Sequence, residues 1–293
     1  MANRRTSKLE KWAVHALARL WEIRNVLFLA VPYFFLLSWL FLGSSSIDSR
    51  PAEIFSVPES PVWAEPDSIH WFGTTGSGVD LFQLTRLAMG TSVAVAVVCS
   101  FFGISTAMLV VALFAFDSSE HRFRPIFVFS RAGFLLPAMA VLVIFAGGSG
   151  GSLPFAMLGI IVVTGFYLAP MIANWFEEGG KGPEVLAGFG LGLSWQDMLV
   201  GRVLPKVLRR LVGMFAQLVP VIILLEMALS FMGFTGDRLG VGAMIAYGQQ
   251  SIIEAPWLAV CPGILASVVV AALSLLGAMV SKVTRSGLLP RHF

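Results

Sequence analysis

The chain has 293 residues, of which 57% are hydrophobic and only 13% charged, against roughly 25% charged in a typical soluble domain. A soluble globule of this size could not cover so much apolar surface, and a disordered chain would carry many more charges. Two cysteines exclude a disulfide scaffold. The composition therefore predicts a polytopic membrane protein, and 29 glycines and 24 phenylalanines suit helices that pack in lipid.

Residues 1–25 predict a basic amphipathic helix that lies on the cytoplasmic membrane surface. Trp12 and Trp21 share its apolar face, whereas Lys8 and Lys11 lie largely on the other side. The segment is too long for the charged region of a signal peptide, and no clear cleavage pattern follows the first apolar stretch. We therefore expect that stretch to be retained as a transmembrane helix.

Charge-poor windows predict six transmembrane helices, since about 20 helical residues cross roughly 30 Å of hydrocarbon. The windows are 25–47, 87–116, 132–176, 211–236 and 255–281. The third window is long enough for two spans, which a Gly-rich turn at 147–154 would join. The predicted organisation is an interfacial helix (1–25), a first transmembrane helix with an outer segment (26–86), a five-helix core (87–282) with a cytoplasmic loop at 177–207, and a cytoplasmic tail (283–293).

The distribution of Lys and Arg predicts that both termini are cytoplasmic. This orientation places 17 of the 20 basic residues in inner segments and leaves only Arg50, Arg86 and Arg238 outside. Because the basic residues are scattered over four short segments, nucleic acid is not an expected partner. We expect a multi-pass protein of the cell membrane, inner or plasma, with the lipid bilayer as its surroundings.

Several motifs that resemble catalytic sites lack the necessary context. Gly147-x-Ser149-x-Gly151 links two predicted membrane helices, whereas a nucleophile elbow links a strand to a helix. The Gly-rich stretches at 179–182 and 73–78 lack the spacing of a phosphate-binding loop. The four histidines are dispersed, and none has metal-ligand spacing with Cys, Asp or Glu. We therefore expect no catalytic residue, no metal and no cofactor in this chain.

The cytoplasmic loop predicts two short helices joined at a glycine. The first helix should run to about Leu191, and Gly192 should supply a left-handed or tight turn. Ser194 can cap the second helix, and Pro205 is expected to end it. Two short helices on the inner face would form a knob that another protein could grip.

Glu226 lies within an otherwise charge-free span. A carboxylate at such a place marks either a transport pathway or a paired, structural group. Glu226 is 18 residues beyond Leu208, or roughly 27 Å along a helix, which places it close to the outer end of the span. Both alternatives stay open: Glu226 and Ser230 line or gate a translocation path, or Glu226 has a structural role.

The cytoplasmic loop resembles the coupling segment of ABC-importer permeases, which reads Glu-Ala-Ala, three residues, Gly, nine residues, Ile-x-Leu-Pro. Counting back from Leu204-Pro205 places the glycine at Gly192. The chain departs from the pattern at Leu186, where the family has Glu, and at Gly188, where it has the second Ala. The ATPase-coupling residues that the resemblance implies are Leu186, Ala187, Gly188, Gly192, Ser194, Arg202, Leu204 and Pro205.

Two further stretches resemble the peptide/nickel branch of this family, and specifically the second permease of dipeptide and oligopeptide importers. Before the second span the matching residues are His70, Gly73, Thr74, Gly78 and Asp80; Thr75 and Val79 depart from the pattern. Near the end of the fifth span the matching stretch is Leu224-Leu225-Glu226-x-Ala228-Leu229-Ser230-Phe231. The resemblance covers about residues 68–280.

The resemblance implies an all-α integral membrane fold similar to the permeases of type I ABC importers. Such a subunit forms half of a translocation path with a second, homologous permease. It hydrolyses no ATP itself, because ATP and Mg²⁺ bind to two partner ATPase subunits, and an extracytoplasmic binding protein delivers the substrate. Dipeptides, longer peptides, nickel chelates, opines and peptide antibiotics all remain possible substrates. The alternative is an ATP-independent carrier or channel, or a membrane assembly scaffold; a single intramembrane carboxylate and the absence of a convincing repeat disfavour a carrier.

Overall fold

The computed structural model describes residues 62–115, 123–133, 138–148, 150–236 and 239–285. Within these ranges the regular structure is helical, apart from an isolated antiparallel bridge between Thr74 and Asp80. In chain order the helices are α1 Leu81–Ala115, α2 Arg124–Gly133, α3 Ala138–Gly147, α4 Leu153–Gly180, α5 Pro183–Gly190, α6 Trp195–Met198, α7 Leu204–Phe231, α8 Val241–Gln250 and α9 Trp257–Arg285. A π-helical turn, Leu199–Val203, joins α6 directly to α7.

Four helical stretches are long and apolar enough to cross a membrane. They are Leu81–Ala115, Leu153–Gly180, Trp195–Phe231 and Trp257–Lys282, and they correspond to the predicted second, fourth, fifth and sixth spans. This confirms the prediction of an all-helical integral membrane protein. The predicted first span, the interfacial helix at 1–25 and residues 286–293 of the tail lie outside the described residues.

The predicted third span, which begins at residue 132, is represented by the short helix α3, while α2 lies almost entirely before it, in the predicted inner segment. Each has ten residues, so α3 is only about 15 Å long and cannot cross the hydrocarbon by itself. Residues 134–137, which separate the two helices, lie outside the described ranges. The total of six transmembrane helices therefore stays a prediction.

Helix α1 begins six residues before the window that predicted it, at Leu81 instead of Leu87. Its start is set by a side-chain cap, because Oδ1 of Asp80 accepts a hydrogen bond from the backbone N–H of Gln83 at 3.0 Å. Arg86, which the charge pattern assigned to the outer segment, is consequently part of this helix.

The long helices pack around two hydrophobic clusters. One contains residues from the first half of α1, the first half of α4, the second half of α7, and from α3, α8 and α9. The other contains residues from the second half of α1, the start of α2, the second half of α4, the segment 183–205 and the start of α7. Gly103 of α1 lies against Thr164 of α4, and Gly277 of α9 against the backbone of Ala216 in α7, so small residues allow close helix packing.

Candidate functional site

Residues 183–205, which we call the elbow, turn sharply at Gly192. The residue has φ +80°, a left-handed conformation that glycine adopts without steric cost. The N–H of Gly192 donates to the carbonyl of Phe189 at 3.0 Å, and the N–H of Leu193 donates to that of Gly188 at 3.1 Å. This is the Schellman pattern, which satisfies the last carbonyls of a helix. The predicted turn at Gly192 is confirmed, and α5 ends at Gly190, close to the predicted boundary.

The second arm of the elbow begins with a capping box. The hydroxyl of Ser194 accepts from the N–H of Asp197 at 3.3 Å, and the carboxylate of Asp197 accepts from the N–H of Ser194 at 3.3 Å. The prediction that Ser194 caps this helix is therefore confirmed. Both arms consequently have satisfied ends where they meet.

Pro205 does not end the second helix, and the prediction that it would was wrong. The turn before it is π-helical, with the N–H of Leu204 donating to the carbonyl of Leu199. The missing N–H of Pro205 falls in the first turn of α7, where an intrahelical partner is not required. A continuous helical stretch therefore runs from Trp195 in the elbow to Phe231 at the far end of α7.

Gly188 has a packing reason to be glycine. A β-carbon at this position would overlap the sulfur of Met198 in the second arm. The side chain of Met198 is 5% exposed and lies between the two arms. The departure from the family pattern at Gly188 therefore allows Met198 to pack tightly across the elbow.

The elbow is fastened to three long helices. The indole Nε1 of Trp195 donates to the carbonyl of Ala115, at the end of α1, over 3.0 Å. Nζ of Lys206 in α7 lies 2.8 Å from Oε2 of Glu184 in α5. Val203 of the elbow lies against Gly179 at the end of α4, where a second ion pair, also at 2.8 Å, joins Arg210 of α7 to Glu178 of α4. Together with Trp195 and Val203, the exposed and individually weak ion pairs hold the elbow against these helices.

The outward face of the elbow is apolar. Leu191 is 82% exposed and Leu186 is 62% exposed. Phe189, Leu193 and Val200 are exposed as well. So many exposed apolar residues on one short segment indicate a surface that contacts another protein. Among the other predicted coupling residues, Ala187, Arg202 and Pro205 are exposed and Leu204 is half-buried.

Glu226 and Ser230 lie one helical turn apart on α7 and face the start of α8. The hydroxyl of Ser230 accepts a hydrogen bond from the N–H of Ala243, the third residue of α8, at 3.2 Å. Ser230 thus caps a helix to which it does not belong. Glu226 is 5% exposed, and its Oε1 lies 3.7 Å from the β-position of Gly240, the residue before α8. A carboxylate at this place is stabilised by the positive end of the α8 dipole.

Helix α8 touches α7 at its backbone. A β-carbon on Gly242 would overlap the carbonyl oxygen of Met227, so a side chain at this position is incompatible with the observed contact. Thr91 of α1 also reaches this region, with its hydroxyl 3.4 Å from the carbonyl of Leu239. The geometry around Glu226 and Ser230 is thus that of a helix-docking site. The sequence analysis missed α8; the Gly240-x-Gly242 spacing before an apolar run was the available signal.

The motif residues before α1 build a compact loop at 62–80. The N–H of Ala64 donates to Oγ1 of Thr74 at 2.8 Å, and Thr74 pairs with Asp80 in the bridge. Gly73 and Gly78 both have positive φ, at 74° and 77°. Asp80 caps α1, as described above. Four of the five motif residues therefore shape the loop that closes this end of α1.

The fifth motif residue, His70, contacts Asp67 through its backbone N–H and through its ring, whose Nδ1 lies 3.6 Å from Oδ1 of Asp67. Oδ1 of Asp67 accepts hydrogen bonds from the N–H groups of Ile69, at 2.8 Å, and His70. These bonds, that from His70 first, hold the pKa of the Asp67 carboxyl below its usual value. The ionised carboxylate therefore organises this exposed turn.

Within the described ranges, no group of three or more His, Cys, Asp or Glu residues is placed to hold a metal ion. Cys99 of α1 and Cys261 of α9 are both free thiols.

Comparison with known proteins identifies relatives for this chain. No protein-family model matches the sequence. The oligopeptide transport system permease protein OppC of Mycobacterium tuberculosis is 25% identical over 202 residues, which is 67% of this chain and 69% of the relative. The OppC protein of Mycobacterium bovis matches equally well. These matches support the resemblance that the motifs indicated, because the chain is similar to permease proteins of oligopeptide transport systems.

Proposed function

We propose that this protein is the second-permease-type subunit of an ATP-driven importer for peptides or related small solutes. It forms half of the translocation path with a homologous permease, and two ATPase subunits bind the coupling segments of the two permeases on the cytoplasmic side, of which the elbow is this chain's. An extracytoplasmic binding protein delivers the substrate on the opposite side, where the 62–80 loop and α8 lie. Both termini are cytoplasmic in this arrangement.

The observation that carries the proposal is the construction of the elbow. Its outward face is apolar and exposed, while its inward face contacts α1, α4 and α7. The helix that begins at Trp195 continues without interruption to Phe231, next to the α8 docking site. A displacement of the elbow would therefore move the far end of α7, which is what alternating access requires.

Reconstitution tests the proposal. The chain is co-expressed with a candidate partner permease and ATPases, purified, and placed in proteoliposomes with the binding protein and labelled peptides. We expect stable co-purification of the ATPases and uptake that stops when a non-hydrolysable ATP analogue replaces ATP. Uptake by this chain without any ATPase would support a carrier or channel instead. Association with ATPases but no transport of any solute would support a scaffold.

A further inference from the structure

An apolar cavity of about 400 Å³ lies between α1, α2 and α4, in the half of the membrane nearer the elbow. Val110 and Phe114 of α1 and Val162 and Phe166 of α4 form its walls, and Pro125 and Ile126 of α2 form its floor. The lining is almost entirely apolar. The cavity extends over the two helical turns from Thr106 to Phe114, or about 12 Å.

The cavity is open toward the surroundings of the helices. Val110 is 42% exposed and Val162 is 45% exposed, whereas Ile126 and Ala169 at the back are buried. Because α1 and α4 are membrane-spanning, the solvent at this opening is the lipid hydrocarbon. The cavity is thus a side cleft for an apolar chain that comes from the bilayer.

The rim of the cleft carries a positive charge. Arg124 is exposed and directly precedes Pro125, at the beginning of α2. Helix α2, Arg124–Gly133, has two basic residues, Arg124 and Arg131, among mainly apolar ones, a composition that suits an interfacial helix. A basic side chain at the membrane surface attracts anionic headgroups. An apolar cleft with an exposed arginine next to its floor is complementary to an anionic phospholipid.

We propose that this cleft binds one anionic phospholipid, with an acyl chain between α1 and α4 and the headgroup phosphate at Arg124. The lipid fills the wedge that α2 opens between the two helices near the elbow. The site is separate from the elbow surface that contacts the ATPases, so transport can be intact while the cleft is empty.

Native mass spectrometry of the full chain tests the proposal. The protein is released from nanodiscs that contain equal amounts of phosphatidylglycerol and phosphatidylcholine, and the retained lipids are counted. We expect phosphatidylglycerol to be retained preferentially. Arg124→Gln should lower that preference about fivefold, which corresponds to about 1 kcal/mol for one basic residue near anionic lipid. Val162→Trp, which fills the opening, should abolish retention of either lipid.

The matched control is Val268→Trp, because Val268 is an equally apolar, 58% exposed residue on α9, away from the cleft. Retention should be unchanged in this variant. Equal effects of the two tryptophans, or an unchanged lipid preference in Arg124→Gln, would overturn the proposal.

A second measurement needs no substitution and so does not depend on the folding of variants. Photoactivatable phosphatidylglycerol, labelled near the middle of the acyl chain, is cross-linked to the unaltered protein, and the labelled peptides are identified. The label should concentrate in 106–114 and 162–169. A label spread evenly along the exposed face of α9 at 260–275 would contradict the proposal, as would a cleft protected from lipid by residues 25–47 or by a neighbouring subunit.

Discussion

Replacing Gly192 by valine perturbs the elbow through the backbone alone. A β-carbon at this position would lie in open space, so no neighbouring side chain is displaced. The cost arises because φ is +80°, a conformation that is unfavourable by about 1–2 kcal/mol for an ordinary L-residue and more for a β-branched one. Valine at 192 therefore favours opening of the turn.

The expected size follows from the strain in the closed turn. The bonds from Gly192 and Leu193 are lost on opening with either residue, so they cancel in the comparison. A destabilisation of about 2 kcal/mol corresponds to a factor of about 30 in the local opening equilibrium. Amide hydrogen exchange at Leu193 should accelerate by about this factor.

Two measurements on the reconstituted complex test this reasoning. Hydrogen exchange reports on the elbow, and substrate-stimulated ATP hydrolysis reports on coupling. In Gly192→Val we expect the complex to assemble but substrate to stimulate hydrolysis no longer. Gly192→Asn should retain coupling, because asparagine tolerates a left-handed conformation. Gly190→Ala should also retain coupling, since Gly190 is helical and a β-carbon there meets no atom within 4 Å. Normal coupling in Gly192→Val, despite faster exchange, would refute the idea that a rigid elbow transmits the movement.

Four further substitutions test other parts of the structure. Trp195→Phe keeps an aromatic ring but removes the indole N–H that donates to Ala115. Coupling should therefore weaken, and the free energy of unfolding should fall by about 0.5–1.5 kcal/mol, measured by denaturation in detergent. Ser230→Ala removes the cap of α8, which should cost about 1 kcal/mol and accelerate exchange in its first turn. Gly242→Ala introduces a β-carbon where the α7 backbone lies, so we expect a destabilisation of about 1–3 kcal/mol by the same denaturation measurement. Because the pKa of Asp67 is lowered, the stability that Asp67 contributes to the 62–80 loop is present above the usual Asp pKa of about 4 and is lost as the pH falls through the lowered value. Hydrogen exchange in this loop should therefore rise at acid pH, and Asp67→Asn should abolish that pH dependence.

Each of these expectations has a contrary result. Unchanged coupling and stability in Trp195→Phe would show that the contact with α1 is incidental. Unchanged exchange in the first turn of α8 would contradict the capping role of Ser230. Gly263→Ala is the control for Gly242→Ala, because a β-carbon at Gly263 meets no atom within 4 Å, and equal effects would contradict the close α7–α8 contact. An identical acid response in Asp67→Asn would assign the pH dependence to another group.

The local turn chemistry of the elbow could be predicted from the sequence, because it depends on single residues. A left-handed turn needs glycine, and a capping serine needs only its own hydroxyl and the next N–H groups. The effect of Pro205 could not be predicted in this way. A proline breaks a helix where its missing N–H would need an intrahelical partner, but it is tolerated in the first turn, where no partner is needed. The π-helical turn that joins the two helices gives no sequence signal of its own.

The role of Glu226 and Ser230 likewise depended on tertiary structure. A polar group in an apolar span predicts a partner but does not say which one. The partner is the start of α8, a helix of ten residues that follows α7 and is too short to cross a membrane. The role of these two side chains therefore follows from the contact between α7 and α8, which the sequence of α7 alone does not specify. Their place at the α8 docking site favours the structural alternative, and Glu226→Gln, which keeps the shape but removes the charge, would separate it from a gate.

The third span was the least predictable element. The window 132–176 has no charge, and a charge-free window shows how long an apolar stretch is but not where the helices within it begin and end. The structure has a basic amphipathic helix, α2, followed by the short α3, and this arrangement opens the cleft between α1 and α4.

The most direct test of the account is site-specific cross-linking from the elbow to an ATPase subunit. A cysteine replaces Leu191, which is 82% exposed, or, as a control, Leu113 of α1, which is 73% exposed but lies in a membrane-spanning helix. Both variants are made after Cys99 and Cys261 have been replaced by alanine. We predict that Leu191→Cys cross-links to the ATPase and that the cross-link blocks ATP-driven uptake, whereas Leu113→Cys does neither. Full ATP-driven uptake with Leu191→Cys quantitatively cross-linked, or no cross-link at all in a transporting complex, would contradict the account.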